Sequence, residues 1–307
     1  MNKALSAVFI TMLFLLAGVS RSDAVSPKQD GMSRSFQKVH VVASIVPLTF
    51  FVERIGGDRV EVSVMVPPGG NPHSYEPTPG QMVALSNASL FVKAGSGVEF
   101  ELEWMERFAH LCPSLAVCNA SQGGTLLQMK SFVAHPHHTD DTHAGERIDP
   151  HFWLSPMNGI LIASNIERSL SAQDPSGASV YHRNFLQLKA ELLELSSEIR
   201  QTLSGIGNRA FMVFHPAWGY YAAEYGLQQI AAEAEGKALA PKSMVRVIRQ
   251  ARELGIRVVF VSPQFSRVQA QTIAREIGGV TQSVDPLSAN YIDNLRQATA
   301  AFSRSMQ

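Results

Sequence analysis

Seven apolar residues mark the middle of this 307-residue chain. Tyr181, Phe185, Leu188, Leu192, Leu195, Ile199 and Leu203 recur at spacings of 4, 3, 4, 3, 4 and 4. That period puts all seven on one stripe of an α-helix. Asp174-Pro175 supplies a cap and a first-turn proline, while Gly205 and Gly207 end the run. The predicted helix covers roughly 30 residues, or about 45 Å at 1.5 Å per residue. A helix that long crosses a whole molecule of this size, so the segments on either side must share its stripe.

Both flanks carry an alternating strand–helix pattern. Before the helix, residues 39–46 form an apolar β-rich run, and 47–55 turn helical and stop at Gly56-Gly57. Residues 60–66 alternate, with Val60, Val62, Val64 and Val66 on one face, and 89–93 form a third strand. Ser155-Pro156 opens a helix to about Leu170 as cap and first-turn proline. After the long helix, strands are predicted at 211–214, 256–261 and 280–284, with helices at 241–254, 265–277 and 289–303. Strand–helix–strand order implies parallel sheets. The fold class is therefore α/β, with two α/β lobes joined by one long rigid helix. The boundaries are 38–173 for the N-terminal lobe, 174–205 for the linking helix and 206–307 for the C-terminal lobe. A length prior of roughly 100–200 residues per domain agrees with two lobes.

Residues 1–24 have the pattern of a cleaved signal peptide. Lys3 is followed by an uncharged apolar stretch over 5–19, then by Ser22-Asp23-Ala24 as a small-x-small cleavage site. The alternative is a membrane anchor, for which the stretch is short against the roughly 20 residues a span needs. Residues 25–37 are polar and form a flexible leader. Basic and acidic residues balance at 26 each, which gives no footprint for nucleic acid or an anionic membrane. Cys112 and Cys118 in an oxidising compartment suggest a short-loop disulfide. A redox or thiolate pair is the alternative, although the spacing is not C-x-x-C.

Four segments place His or Asp where an α/β sheet offers a ligand site, beyond strand ends. His73 lies in Pro67-Pro-Gly-Gly-Asn-Pro-His-Ser-Tyr-Glu-Pro77, a loop stiffened by proline; a plain surface histidine is the alternative. His151 follows Asp149, a carboxylate that can accept its second ring N–H and fix the tautomer; the alternative is a helix-entry loop. His215 follows the strand at 211–214 and could instead cap the next helix. Asp285 follows the strand at 280–284 and could instead cap the last helix. Together they put two candidate ligands in each lobe. Three imidazoles and one carboxylate suit a tetrahedral zinc site. His40, His110 and His182 look structural. His135, His137, His138 and His143, with Asp140 and Asp141, form a polar segment that is either an auxiliary metal collector or a solvated linker.

The segments Asn71-Pro-His-Ser-Tyr-Glu-Pro-Thr-Pro79, Asp149-Pro-His-Phe-Trp-Leu154 and Phe214-His-Pro-Ala-Trp-Gly-Tyr220 carry a resemblance to a known family. Glu235-Gly-Lys237, Val261-Ser-Pro-Gln-Phe265 and Val284-Asp-Pro-Leu287 extend it. From about Val39 onward the chain resembles the periplasmic metal-binding components of ABC importers for zinc and manganese, the zinc-uptake type in particular. The resemblance implies a metal ion between two lobes held by His73, His151, His215 and Asp285. Zinc members have His at the third position where manganese members have Glu, so His215 favours Zn2+ over Mn2+ or iron. It also implies an ABC permease in the inner membrane as partner, a metal-donating chaperone as a second one, and a monomer in the periplasm. Asn71 and Ser155 depart from a frequent Asp, and Ser262 from a frequent Glu. The His-rich segment is short, and the C-terminal-lobe disulfide of some zinc members is absent.

A site filled by protein ligands leaves no position for a substrate water, which favours binding over catalysis. A secreted zinc hydrolase is the rival reading; it would need an open coordination position and a base such as Glu76, and no H-E-x-x-H helix is present. An adhesin role is a third. The long helix should limit hinge opening, leaving small lobe shifts or loop ordering for release.

Overall fold

The computed structural model describes residues 37–129, 148–233, 240–265 and 267–307. The expected signal peptide, nearly all of the leader, the His135–His143 segment and the Glu235-Gly-Lys237 motif lie outside the described residues.

The N-terminal half builds a four-stranded parallel sheet in the order β2-β1-β3-β4. Its strands are β1 Val39–Ile45, β2 Val60–Val66, β3 Leu90–Lys93 and β4 Ala116–Asn119. Central β1 is buried along Val41–Ile45, as an unbroken apolar run requires when both faces are covered. β2 lies at the edge, in register from Val39↔Val60 to Ile45↔Val66, and keeps the alternation expected of it until Met65 and Val66. Helix α1 (Val46–Gly56) ends where Gly57 takes a positive φ of 54°. Helix α2 (Pro79–Ser86) starts from a Thr78/Gln81 capping box. Helices α3 (Glu99–Leu111) and α4 (Pro156–Gln173) follow, and the Ser155 side chain caps α4.

The predicted long helix is α5, Ala178–Thr202, with 25 residues. It is shorter than expected because Asp174 and Pro175 open a 3-10 turn at Pro175–Gly177 instead of the helix proper. The Asp174 carboxylate binds that turn through Ser176 Oγ, and also meets Tyr181 Oη and Arg59 Nε at 2.6, 2.7 and 2.8 Å. Burial alone would raise its pKa; these bonds outweigh burial and take it down to about 2. The apolar stripe is buried from Tyr181 to Leu203, with Phe185 only partly covered.

Beyond α5 a second parallel sheet has the equivalent order, β6-β5-β7-β8. It consists of β5 Ala210–Val213, β6 Gln228–Ala231, β7 Val258–Val261 and β8 Val280–Ser283. Helices α6 (Gly219–Tyr225), α7 (Pro241–Glu253), α8 (Arg267–Glu276) and α9 (Tyr291–Ser305) complete it. Strand pleating divides this sheet between two cores. Phe211, Val213 and Phe260 join the large core that runs through α5 from the first sheet. Ala210, Met212, Val259 and Val261 face a smaller core with Val247 and Ile273.

Side chains also tie the halves together. Tyr291, at the start of α9, donates to the Trp153 carbonyl at 2.6 Å and packs on Phe50 and Phe51. The Trp153 indole donates to the Pro286 carbonyl at 2.8 Å. Glu224 of α6 accepts from Ser155 and from Ser196 of α5. Ser155 thus both caps α4 and meets a carboxylate, a contact that Asp at this position would turn into like-charge repulsion.

The disulfide expectation is corrected: Cys112 and Cys118 are both free. Cys118 lies in β4 with its side chain buried, beside Ser169 of α4, whereas Cys112 ends α3. Burial pushes the Cys118 thiol up, so it behaves as a small apolar group. Among the described residues no helix is long and apolar enough to cross a membrane.

Candidate metal site

Each sheet changes direction once, between β1 and β3 and between β5 and β7. Ligands of open α/β sheets bind outside the strand ends at such points, and the candidate residues gather there.

His73 sits in the loop from β2 to α2. A turn closes it at Gly70 N to Pro67 O, 2.9 Å, and Asn71 Oδ1 accepts the His73 backbone N–H at 3.0 Å. Asparagine therefore still supplies the acceptor that the more frequent Asp would give. His151 is the exception to the strand-end rule. It follows an isolated antiparallel bridge, Gln128–Ile148, and starts the 3-10 turn Phe152–Leu154. As expected, Asp149 fixes it: Oδ1 meets both His151 N and His151 Nδ1 at 2.9 Å. Gly219 of the opposite half makes room for this carboxylate, since a Cβ there would stand 2.1 Å from Asp149 Oδ2. His215 follows β5 through Phe214, and its ring stacks on Phe265 at 4.4 Å. It caps nothing, because the N-cap of α6 is Trp218.

The three imidazoles line one small cavity, with Glu99, Gln264 and Phe265 among its other walls. Each has Nδ1 on a carboxylate: His73 on Glu99 at 3.1 Å, His151 on Asp149 at 2.9 Å, His215 on Glu233 at 2.6 Å. A neutral ring that donates from Nδ1 keeps its lone pair on Nε2. His151 Nε2 and His215 Nε2 face each other at 3.3 Å. With both Nδ1 protons committed to carboxylates, two lone pairs point at one another, an arrangement that a cation between them relieves. Two nitrogens each 2.0–2.1 Å from a tetrahedral zinc stand about 3.3–3.4 Å apart. The pair already has that bite. His73 lies beside it, its ring 5.1 Å from His215. Among the described residues no group of three or more His, Cys, Asp or Glu is spaced to hold an ion.

Burial drives the His215 pKa down to about 4 against the pull of Glu233, and His151 and His73 push the same way. The ring is therefore neutral near pH 7 and free to ligate. Glu99 is held below its ordinary value: burial raises it, but the hydrogen bond from His73 leads the contributions that together outweigh burial.

Asp285 stands one step back. Its Oδ1 accepts from Gln264 Nε2 and from Leu287 N, both at 2.9 Å. Pro286 and Leu287 line the cavity, whereas Asp285 does not. Neither does it cap α9, whose N-cap is Asn290. Gln264, which holds it, lines the cavity and has a buried Oε1 without a partner. His40 pairs with Glu61 and His182 with Glu167, both away from the cavity, and His110 is exposed at the end of α3. Glu99, Glu233 and Gln264 were not predicted. All three lie just beyond strand ends, after β3, β6 and β7, so a search there for Glu and Gln would have found them.

Two α/β lobes with ligand-ready histidines from both, meeting at the sheet switch points, define a metal-binding protein of the substrate-binding class. Over residues 41–305 the chain matches the family described as "Zinc-uptake complex component A periplasmic", and it belongs to that family. It is 28% identical to the "High-affinity zinc uptake system protein ZnuA" of Bacillus subtilis (strain 168), covering 100% of this chain and 99% of that protein. It resembles a ZnuA crystal structure at 35% identity and a TM-score of 0.80, over 88% of this chain and 100% of the other. A zinc-bound ZnuA deletion mutant matches with the same identity and TM-score, over 88% and 99% of the two chains.

Proposed function

We propose that the chain captures Zn2+ outside the inner membrane and delivers it to the permease of an ABC importer. The observation that carries this is the facing pair of Nε2 atoms, 3.3 Å apart, with each opposite Nδ1 held by a carboxylate. Imidazole donors suit a borderline-soft ion such as zinc better than manganese, which prefers oxygen. In this reading His151 and His215 receive the ion between the lobes and His73 closes on it. The fourth position belongs to Asp285, once its bond to Gln264 yields, or to water.

Binding rather than catalysis is the role of this site. The signal peptide is cleaved, and the protein acts as a periplasmic monomer. The interlobe contacts of Tyr291, Trp153 and Glu224 favour release by small shifts on docking to the permease over a wide hinge.

The test is a titration of chelator-stripped protein with zinc and manganese against a chromophoric competitor. One zinc per chain, bound more tightly than manganese, is expected. Loss of the ligand in His215→Ala should weaken zinc by on the order of 100-fold or more, beyond the 10–100-fold typical of supporting groups. Manganese winning the competition, or His215→Ala binding zinc like the parent, would contradict the proposal.

A further inference from the structure

The three outer carboxylates are not equivalent. Asp149 and Glu233 have 5% and 1% of their side chains exposed, whereas Glu99 has 41%. Asp149 is also held by structure around it, accepting the His151 backbone N–H and packing on Gly219. Glu99 is the first residue of α3, reached through Gly97 at φ 96°, and its carboxylate extends over the cavity to His73.

We propose that Glu99 is the positioning residue of His73, holding its proton on Nδ1 so that Nε2 is ready for the incoming ion. This deepens the proposed zinc capture and rests on it. The argument is one of parallel construction. A metal-ligating histidine usually donates its other N–H to a carboxylate, carbonyl or water, which fixes tautomer and ring orientation. Glu99 stands to His73 as Asp149 stands to His151 and Glu233 to His215. His73 lies on a loop, and among the described residues Glu99 is the group that bonds to its ring nitrogens. Without Glu99 the His73 proton would divide between both nitrogens, and part of the population would meet the ion with an N–H instead of a lone pair. Glu99 acts through His73 and is not itself a ligand: its oxygen is committed to Nδ1, on the other side of the ring from the atom that binds.

The experiment measures zinc affinity by competition for the parent, Glu99→Gln, Glu99→Asp, His73→Ala and the double variant His73→Ala/Glu99→Gln. The His73 tautomer is read by 15N NMR in the metal-free protein. Glu99→Gln should weaken zinc about tenfold, at the low end of the 10–100-fold range for outer-shell partners. It should also shift the His73 signals toward the mixed tautomer. Glu99→Asp should recover part of both effects, and in the His73→Ala background Glu99→Gln should cost less than about twofold, as removal of a shared partner requires. An unchanged affinity and tautomer in Glu99→Gln would overturn the inference. So would an equal loss with and without His73, which would make Glu99 a ligand in its own right. If the parent binds zinc and His215→Ala does not, while Glu99→Gln matches the parent, only this inference fails. If the parent and His215→Ala bind alike, the zinc-site reading fails first.

Discussion

His151 and His215 have 8% and 5% of their side chains exposed, against 22% for His73. The first two come from opposite halves of the fold, and each is locked by a buried carboxylate. Their spacing is therefore set once the two halves fold together around α5. His73 sits on a proline-stiffened loop with a half-exposed partner. In the proposed reading the difference separates two tasks of a carrier: a preorganised pair that gives affinity, and a more exposed third ligand through which the ion enters and leaves.

The comparison breaks first at the buried pair. His151→Ala or His215→Ala should each cost on the order of 100-fold in zinc affinity, more than His73→Ala, by competition titration. Near-equal losses for all three would erase the distinction. Next, Gly219→Ala drives a Cβ into Asp149 Oδ2 and so disturbs the lock on His151. It should lower stability by about 1–3 kcal/mol, as overpacking does, and weaken zinc by about tenfold. Denaturant melts with and without metal check both.

The pH dependence of the metal-free protein follows from His215. Its folded-state pKa is depressed from 6.5 to about 4, so below pH 6.5 the unfolded chain takes up a proton that the folded chain refuses. Stability should be full above about 6.5, fall as the pH drops toward 4, and level off below that, by up to about 3 kcal/mol from this group. Comparing parent and His215→Gln melts over that range isolates it. Asp285→Asn should have a smaller effect, less than about tenfold in zinc affinity, because Asp285 stands outside the cavity wall. The smallest effect is expected of reductant: with both thiols free, the melting curve should move by no more than about 0.5 kcal/mol.

The long helix was readable because its stripe, Tyr181 to Leu203, reports one uninterrupted packing surface. The positions of His73 and His215 were readable because the alternating strand β2 and the apolar run β5 precede them. What escaped has physical reasons. β4 and β6 are four-residue strands at or near sheet edges, and the sequence Gln-Gln-Ile-Ala in β6 carries no clear period. Helix α2 is short and α3 is largely solvated, although the Thr78/Gln81 capping box was available as a signal for α2. His151 comes from a connection, not a strand end, which sheet-based reasoning does not anticipate. Asp285 was read from its chain position, but Gln264 and the Leu287 amide decide where its carboxylate points. The cysteines were read from their compartment, and the pleat of β4 decided otherwise.

The most direct test is X-ray absorption at the zinc edge of the loaded, full-length protein. Three imidazole shells with nitrogen at about 2.0–2.1 Å, completed by one oxygen, are expected. A sulfur shell near 2.3 Å, or a coordination sphere of oxygens with a single imidazole, would contradict the account.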